Sequence, residues 1–422
     1  MIATRSGSKR LLRDLNRSIV LNLIASRAPI SRTDVAREGN LPAATITRIV
    51  GDFVRAGLVI ETQSEESSGG RRPVHLTINP AASHVVGVKL REDSMTVSLC
   101  DLACTVVHSC EATLSAGIEP FQAVTVIAEA IERCIDEASV ARPEVLGVGV
   151  GISGLIDSSR GLCRYSAILD WTNVELGPAL EYRLRMPVRI DNDVNTLAVA
   201  ERHFGAGRDV PDFLLVTVGR GIGLGIVVGG EIYRGAHGGA GEFGHMTVDN
   251  SPDAPPCNCG KKGCLEAVAS DYGILRAATG EDPGHRVEVD MTALIAQAEA
   301  GDQRVRAIFQ RAGTALGVAL ANLVNIFDPA LVLVGGEGLR GGDLITEPMR
   351  AAFPRHVFGR PGHEVVLQVL RTTDVEWARG AASLVLREVF RPPIYETGEE
   401  PVIDTLLASR LATRQGRTRK RG

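Results

Sequence analysis

Residues 219–266 read GRGIGLGIVVGGEIYRGAHGGAGEFGHMTVDNSPDAPPCNCGKKGCLE. The end of this stretch gathers His245, Cys257, Cys259 and Cys264, three soft sulfur ligands and one imidazole that make a complete tetrahedral set for zinc. With all four positions taken by side chains, no place is left for a zinc-bound water. The pattern therefore predicts a structural clamp, one ion per chain, rather than a metalloenzyme centre. Cys257 and Cys259 are one residue apart, and Gly260 and Gly263 let the loop turn back so that Cys264 reaches the same ion. Such a clamp would hold the segment that carries Glu242 and Glu266. The other cysteines, Cys100, Cys104, Cys110, Cys134 and Cys163, adjoin no comparable cluster with a histidine and read as small buried hydrophobes.

Upstream of this stretch the chain changes character. Residues 1–80 hold 12 Lys and Arg against 7 Asp and Glu, a net charge of +5, whereas the remaining residues carry a net −9. A small basic module in front of a large acidic body suits a nucleic-acid-binding head. At 422 residues and 44% apolar content the chain has material for two or three domains with proper cores. No signal peptide and no run of eighteen apolar residues is visible. A reducing, cytoplasmic setting without a membrane partner is therefore expected.

The basic head has the periodicity of a helix-turn-helix. Val20, Leu23 and Ile24 share one helical face, Pro29 breaks that helix, and Ser31 is placed to cap a short helix through Val35 and Ala36. Glu38 to Leu41 make the turn. Pro42 starts a second helix running to about Arg55, with Ile46, Ile49, Val50 and Phe53 as its buried stripe. Its outward residues are Ala43, Ala44, Thr45, Thr47 and Arg48, short groups that let the helix end approach base edges with one long donor behind them. Leu58 to Glu61 and Val74 to Thr77 then pair as strands of a wing, whose tip offers Arg71 and Arg72 to phosphates or a minor groove.

From His84 a strand and helix rhythm takes over. VVGVKL and MTVSLCDL read as a hairpin, Phe121 to Ala138 as a helix, and Val145 to Ile152 as a buried strand. Pro187 to Ile190 is a short strand leading into DNDVN. A second half repeats the theme with strands at Phe213 to Val218 and Gly223 to Val228, a long helix from about Val305 to Ile326, and a strand at Ala330 to Val334 ending in Gly335-Gly336. The expected organisation is a winged helix-turn-helix at 1–80, a first α/β lobe at 84–195, and a second at 196–390. The C-terminal helices are free to return to the first lobe, and 391–422 is a flexible tail ending in the basic RQGRTRKRG. Ligands of such α/β lobes bind at the carboxyl ends of strands, in the cleft between lobes.

The ordered segments GRGIGLGIVVGGEIYRGAHGGAGEFGHM, CNCGKKGCLE, DNDVN and DPALVLVGG resemble the ROK family, which groups bacterial transcriptional repressors with sugar kinases on an actin-like, two-lobed sugar-kinase fold. The resemblance covers residues 84 to about 390, and the winged helix-turn-helix with its GGRRP wing is similar to the repressor branch, whose members answer to xylose, glucose or N-acetylglucosamine. It implies that Glu242, His245 and Glu266 hold a sugar ring, with His245 using one nitrogen for zinc and the other for a hydroxyl. It implies further that Asn192 and Asp193 hold the hydroxyl that a kinase phosphorylates, Asp193 standing at the general-base position.

The same resemblance bears on catalysis. Kinases of the family carry an Asp-x-Gly-Gly-Thr turn whose bare backbone cradles phosphates; here the matching segment is Lys89, Leu90, Arg91, Glu92, Asp93, without a glycine. At the second phosphate loop, Gly219-Arg220-Gly221 stands where kinases tend to have Gly-Thr-Gly, while Gly335-Gly336 is retained. The expectation is therefore a sugar-responsive repressor of carbohydrate uptake or catabolism genes, a homodimer or tetramer on double-stranded operator DNA. It would bind a monosaccharide and neither ATP nor magnesium. The alternative is an ATP-dependent sugar kinase with an appended DNA-binding domain.

Overall fold

The computed structural model describes residues 9–63, 74–281, 287–359 and 365–390, with Leu406, Leu407 and Arg410 beyond them. Contacts divide the chain into two compact units: Met1–Gly154, Ser158–Phe204 and Ala378–Gly422 form the first, Leu155–Asp157 and Gly205–Trp377 the second.

The first unit opens with α1 (Lys9–Arg27), β1 (Ile30–Ser31), α2 (Arg32–Glu38), α3 (Ala43–Ala56), β2 (Val59–Gln63) and β3 (Val74–Ile78). Ser31 starts α2 by accepting the Asp34 N–H at 3.1 Å, and its hydroxyl donates to the Asp34 carboxylate at 2.6 Å. In the turn between α2 and α3, a Cβ at Gly39 would come within 2.9 Å of the Val35 carbonyl oxygen, so only a bare Cα fits. The α3 stripe of Ile46, Ile49, Val50 and Phe53 is buried as its spacing requires. The helix stops at Gly57, left-handed at φ 75°, whose N–H reaches the Val54 carbonyl at 3.0 Å. β2 and β3 pair antiparallel, and β1 joins the other edge of β3. Arg71 and Arg72, the expected wing tip, lie outside the described residues.

The first α/β lobe follows. β4 (His84–Leu90), β5 (Ser94–Asp101) and β6 (Val106–Thr113) form an antiparallel meander, then come α4 (Pro120–Glu137) and β7 (Val145–Ile152). After β8 (Leu155–Asp157), which counts with the second unit, β9 (Leu162–Ser166) and β10 (Trp171–Val174) pair with each other. α5 (Leu176–Leu184), β11 (Val188–Asn192) and α6 (Asp193–Phe204) complete the series. The sheet order is β11-β7-β4-β5-β6, with β11, β7 and β4 parallel, so β11 ends beside β7 and delivers its carboxyl end to the start of α6.

In the second unit, β12 (Phe213–Val218) and β13 (Ile222–Val228) make a hairpin continued by β14 (Glu231–Ile232). α7 (Leu265–Ala269), α8 (Asp271–Thr279), α9 (Val287–Glu299) and α10 (Gln303–Phe327) lead to β15 (Leu331–Gly335), α11 (Asp343–His356) and β16 (Val366–Val369). The sheet order is β14-β13-β12-β15-β16, the last three strands parallel. α10 is long and apolar enough by composition to cross a membrane, yet Phe309, Leu316 and Leu320 on it are core residues of this unit. Gly313 and Gly317 let α11 press against it: a Cβ at either would stand 2.4 Å from the Ile345 or Met349 carbonyl oxygen.

The last helix, α12 (Asp374–Phe390), returns to the first unit from Ala378 onward. There it lies against β4 and β7, where a Cβ at Gly87 or Gly149 would come within 1.8 Å of the Ala378 or Ala381 carbonyl oxygen. It also joins the two parts of the unit. Ile24, Phe53 and Leu76 of the helix-turn-helix module share one buried cluster with Val85 and Cys100 of the lobe and Val385, Val389 and Phe390 of α12. The change of lobe accordingly falls after Phe204 rather than at residue 195. A cut at 195 would divide α6, whose Thr196 carbonyl accepts the Ser383 hydroxyl of α12 at 3.4 Å. In the segment expected as a flexible tail, Leu406 and Leu407 are helical and buried in the same cluster, because two leucines add apolar area to an open edge of that core.

Candidate functional site

The metal cluster in the second unit is assembled by close backbone approaches. Phe243–His245 is a single 3-10 turn, and a Cβ at Gly244 would come within 2.3 Å of the Ile222 carbonyl oxygen, so His245 is held directly beneath β13. Thr247 bridges to Cys264 and Pro256 to Lys262, while Gly263, left-handed at φ 69°, lies so near the Asp249 carbonyl that no side chain fits. The Cys257 N–H donates to Lys261 O at 2.8 Å and the Gly260 N–H to Cys257 O at 3.0 Å, closing the tight turn that returns Cys264.

The ligand atoms of His245, Cys257, Cys259 and Cys264 all lie within 4.8 Å of one another. Sγ of Cys259 and Sγ of Cys264 are 3.7 Å apart, and Sγ of Cys257 is 3.6 Å from Nδ1 of His245. Tetrahedral zinc, with Zn–S about 2.3 Å and Zn–N about 2.0–2.1 Å, requires S–S and S–N edges of about 3.8 and 3.6 Å. The residues therefore fit a structural zinc ion held by one imidazole and three thiolates. Burial pushes the Cys257 thiol up to about 12 and raises that of Cys264, so without a cation these two are held as neutral thiols. At the exposed Cys259 the burial penalty is outweighed by the Lys261 backbone N–H and the neighbouring thiols, which lower it. A bound zinc would deprotonate them and tie residues 245–264 into one unit.

Around this cluster stand the expected hydroxyl-binding groups of the second unit. Nε2 of His245, the nitrogen turned away from Cys257, is 3.8 Å from the exposed Glu242 carboxylate. Glu266, in the first turn of α7, accepts the Ile222 N–H at 3.1 Å through Oε2, with Oε1 3.9 Å from Cys257 Sγ. One imidazole thus lies between the metal ligands and the polar rim, with Nδ1 toward Cys257 and Nε2 toward Glu242.

In the first unit, Asn192 and Asp193 stand at the end of β11 and the start of α6. The Asn192 side chain is already engaged: Oδ1 accepts the Val194 N–H at 2.9 Å, and Nδ2 donates to the Gly154 carbonyl at 3.0 Å. Asp193 is buried, with Oδ1 accepting the Val194 N–H at 2.9 Å and Oδ2 paired with the ammonium of Lys89. That ion pair, between residues 104 positions apart, had no signal in the sequence.

At the second phosphate loop the glycines remain but their amides are engaged within the protein. The Gly219 N–H donates to Gly221 O at 2.9 Å, and the Gly336 N–H to Thr372 Oγ1 at 3.2 Å. Glu337 lies against Gly219, where its carboxylate fills the space that a Cβ at Gly219 would take. Arg340 braces this corner, donating to the Glu337 carbonyl at 2.8 Å and to the buried Asp271 carboxylate at 2.6 Å. Arg220 is exposed at the tip of the loop. Glu337 was overlooked in the sequence, although it directly follows Gly335-Gly336.

The face of α3 opposite its buried stripe presents Ala43, Ala44, Thr47 and Arg48 to solvent, with Thr45 half-buried. Thr47 Oγ1 donates back to the Ala43 carbonyl at 2.9 Å. An exposed helix start of small residues with one arginine behind it has the form of a recognition helix.

Comparison with known proteins agrees with this geometry. The profile of the ROK family matches residues 85–388. The chain is similar to the xylose repressor of Caldicellulosiruptor bescii, 29% identical over 402 residues and covering 92% of this chain and all of the relative. It is likewise similar to the DNA-binding transcriptional dual regulator NagC of Escherichia coli, 31% identical over 354 residues, 82% of this chain and 85% of that protein. Among solved structures, a ROK family transcriptional regulator homologous to the E. coli MLC protein superposes with a TM-score of 0.74 at 26% identity, over 95% of this chain and 99% of that one. The fold is accordingly α/β and kinase-like, with an added N-terminal helix-turn-helix region.

Proposed function

Because the chain belongs to the ROK family, we propose that it is a sugar-responsive transcriptional repressor of carbohydrate uptake or catabolism genes. The observation that carries this reading is the pairing of an exposed recognition helix, α3, with a sugar-kinase body, in the arrangement shared over nearly the whole chain with a xylose repressor. A monosaccharide is the effector. Within the first unit the hydroxyl-binding candidates are Asn192 and Asp193 at the β11–α6 junction, and within the second, taken by itself, they are Glu242, His245 and Glu266. Zinc would serve by fixing the segment that carries the last three. Two copies would place two α3 helices in successive major grooves of an operator.

No phosphoryl transfer is assigned to this chain. A general base ends its step holding the hydroxyl's proton, and a proton on Asp193 would break its pairing with the Lys89 ammonium. The engaged amides of Gly219 and Gly336 and the carboxylate of Glu337 oppose an incoming polyphosphate in the same sense.

Contiguity within the first unit supports a route from effector to DNA. α6 runs from Asp193 to Phe204, whose ring meets Phe390 edge-on at 6.5 Å, and the Phe390 carbonyl accepts the Ser18 hydroxyl at 3.2 Å and the Asn22 amide of α1. A coupling of about 1–3 kcal/mol along such a path changes operator affinity roughly 5- to 150-fold. The test is footprinting of the purified full chain on its own upstream region and on sugar-uptake promoters, with and without glucose, xylose or N-acetylglucosamine. Sugar-dependent protection is expected; no protection in either state would overturn the repressor, and sugar-dependent ADP release from ATP would replace it with a kinase.

A further inference from the structure

The most unexpected group in the first unit is a buried ammonium. Lys89 is the next-to-last residue of β4, and its register partner on β7 is Gly151, which in turn pairs with Asp191 on β11. In this row across the sheet, Gly151 supplies no side chain, and a Cβ there would crowd Thr196 Oγ1 at 3.3 Å. The gap lets the long Lys89 stem pass over the middle strand to the start of α6, where Nζ pairs with Asp193 Oδ2. Both side chains are about one-tenth exposed. An ion pair this far from water is not a solvated surface contact, and each partner would be costly to leave there alone.

We infer that Lys89 is a positioning residue of the effector subsite: its ammonium fixes the Asp193 carboxylate as a charge-balanced acceptor for a neutral sugar hydroxyl. This deepens the sugar-binding reading and rests on it. A lone buried carboxylate would attract a cation or a metal-bound nucleotide and could turn about its side-chain torsions. The pair removes the net charge, and with the Val194 N–H it holds both oxygens in one orientation. A carboxylate balanced by its own ammonium and fixed in its acceptor geometry suits an uncharged hydroxyl, so the lysine that opposes phosphoryl transfer also serves a sensor pocket. Lys89 acts through Asp193 rather than by touching the sugar, and this separates the proposal from a second direct contact.

The experiment is a double-mutant cycle on the zinc-loaded full chain, with Lys89→Met, Asp193→Asn and the double variant titrated calorimetrically with glucose, xylose and N-acetylglucosamine. Thermal unfolding is followed in parallel, and every titration is made below the onset of unfolding. Lys89→Met should weaken the binding sugar by at least about tenfold, as expected for loss of a charge-assisted arrangement, and should lower the melting temperature. The double variant, with no unpaired buried charge, should recover the melting temperature but bind no more weakly than Asp193→Asn alone. That non-additivity in affinity is a readout a purely structural lysine would not produce. Unchanged affinity in Lys89→Met, or losses that simply add in the double variant, overturns the proposal while leaving sugar binding intact. Absence of heat from the wild type with every monosaccharide overturns the sugar reading and this proposal with it.

Discussion

Replacing Cys264 by serine perturbs the metal cluster at its most enclosed point. Cys264 is inaccessible to solvent, its Sγ is 3.7 Å from that of Cys259, and its backbone is bridged to Thr247. The substitution thus removes one soft ligand while nearly conserving volume, so packing loss is a minor part of its effect. Zinc that binds only the folded chain stabilises it by mass action, about 4 kcal/mol when free zinc is about a thousand times the dissociation constant. This contribution vanishes once the dissociation constant exceeds the available zinc. For a folding unit of roughly 150–250 residues, 1 kcal/mol at the midpoint corresponds to about 2–4 °C. The calorimetric transition carried by the second unit should therefore fall by roughly 8–16 °C. Scanning calorimetry with and without chelator, beside elemental analysis, measures this directly. Chelator should bring the wild type down to the variant and leave the variant where it is, and sugar affinity should fall in step because Glu242, His245 and Glu266 flank the cluster. A variant that keeps one zinc per chain and melts with the wild type would refute the reasoning, as would a wild type indifferent to chelator.

Other substitutions probe other parts of the fold. Gly149→Ala sets a methyl against the Ala381 carbonyl of α12; urea denaturation should show a loss of at least about 1–3 kcal/mol, and wild-type stability would contradict the close packing of α12 on β7. Burial, with the Arg202 and Arg387 guanidinium groups adding to it, pushes His203 from 6.5 down to about 4. The folded chain thus binds fewer protons than the unfolded chain between those values. Stability from this group is complete above pH 6.5 and is lost as pH falls toward 4, by up to about 3 kcal/mol. His203→Gln should flatten that part of the pH–stability profile, and an unaltered slope would remove His203 as its source. Arg48→Ala should cost about 1–3 kcal/mol at the preferred operator and relax discrimination there. An equal loss on all sequences, seen by competition binding, would reassign Arg48 to the phosphates.

The elements legible in the sequence are those whose causes are local. The α3 stripe and the Ser31 cap each depend on residues within about two helical turns, and the structure has them where periodicity and capping chemistry put them. The zinc ligands were legible for a related reason. Three of them lie within eight residues, and their softness and number speak for the metal before any fold is known. Spacing along the chain could not reveal what a given amide or carboxylate would be holding. The roles carried to Asn192 and Asp193 came with the family resemblance, yet the Asn192 side chain caps α6 and bonds the Gly154 carbonyl.

Tertiary structure alone decided the pairings between distant segments. Lys89 meets Asp193 because β4, β7 and β11 lie side by side with a glycine between them, a consequence of sheet order that no local pattern encodes. α12 returns to β4 and β7 because Gly87 and Gly149 leave a flat strip for it, and that return merges the helix-turn-helix core with the first lobe. Local propensity and ligand chemistry act over a few residues and survive in the written sequence. Burial and charge pairing are settled between residues a hundred or more positions apart, and they exist only once the chain has closed on itself.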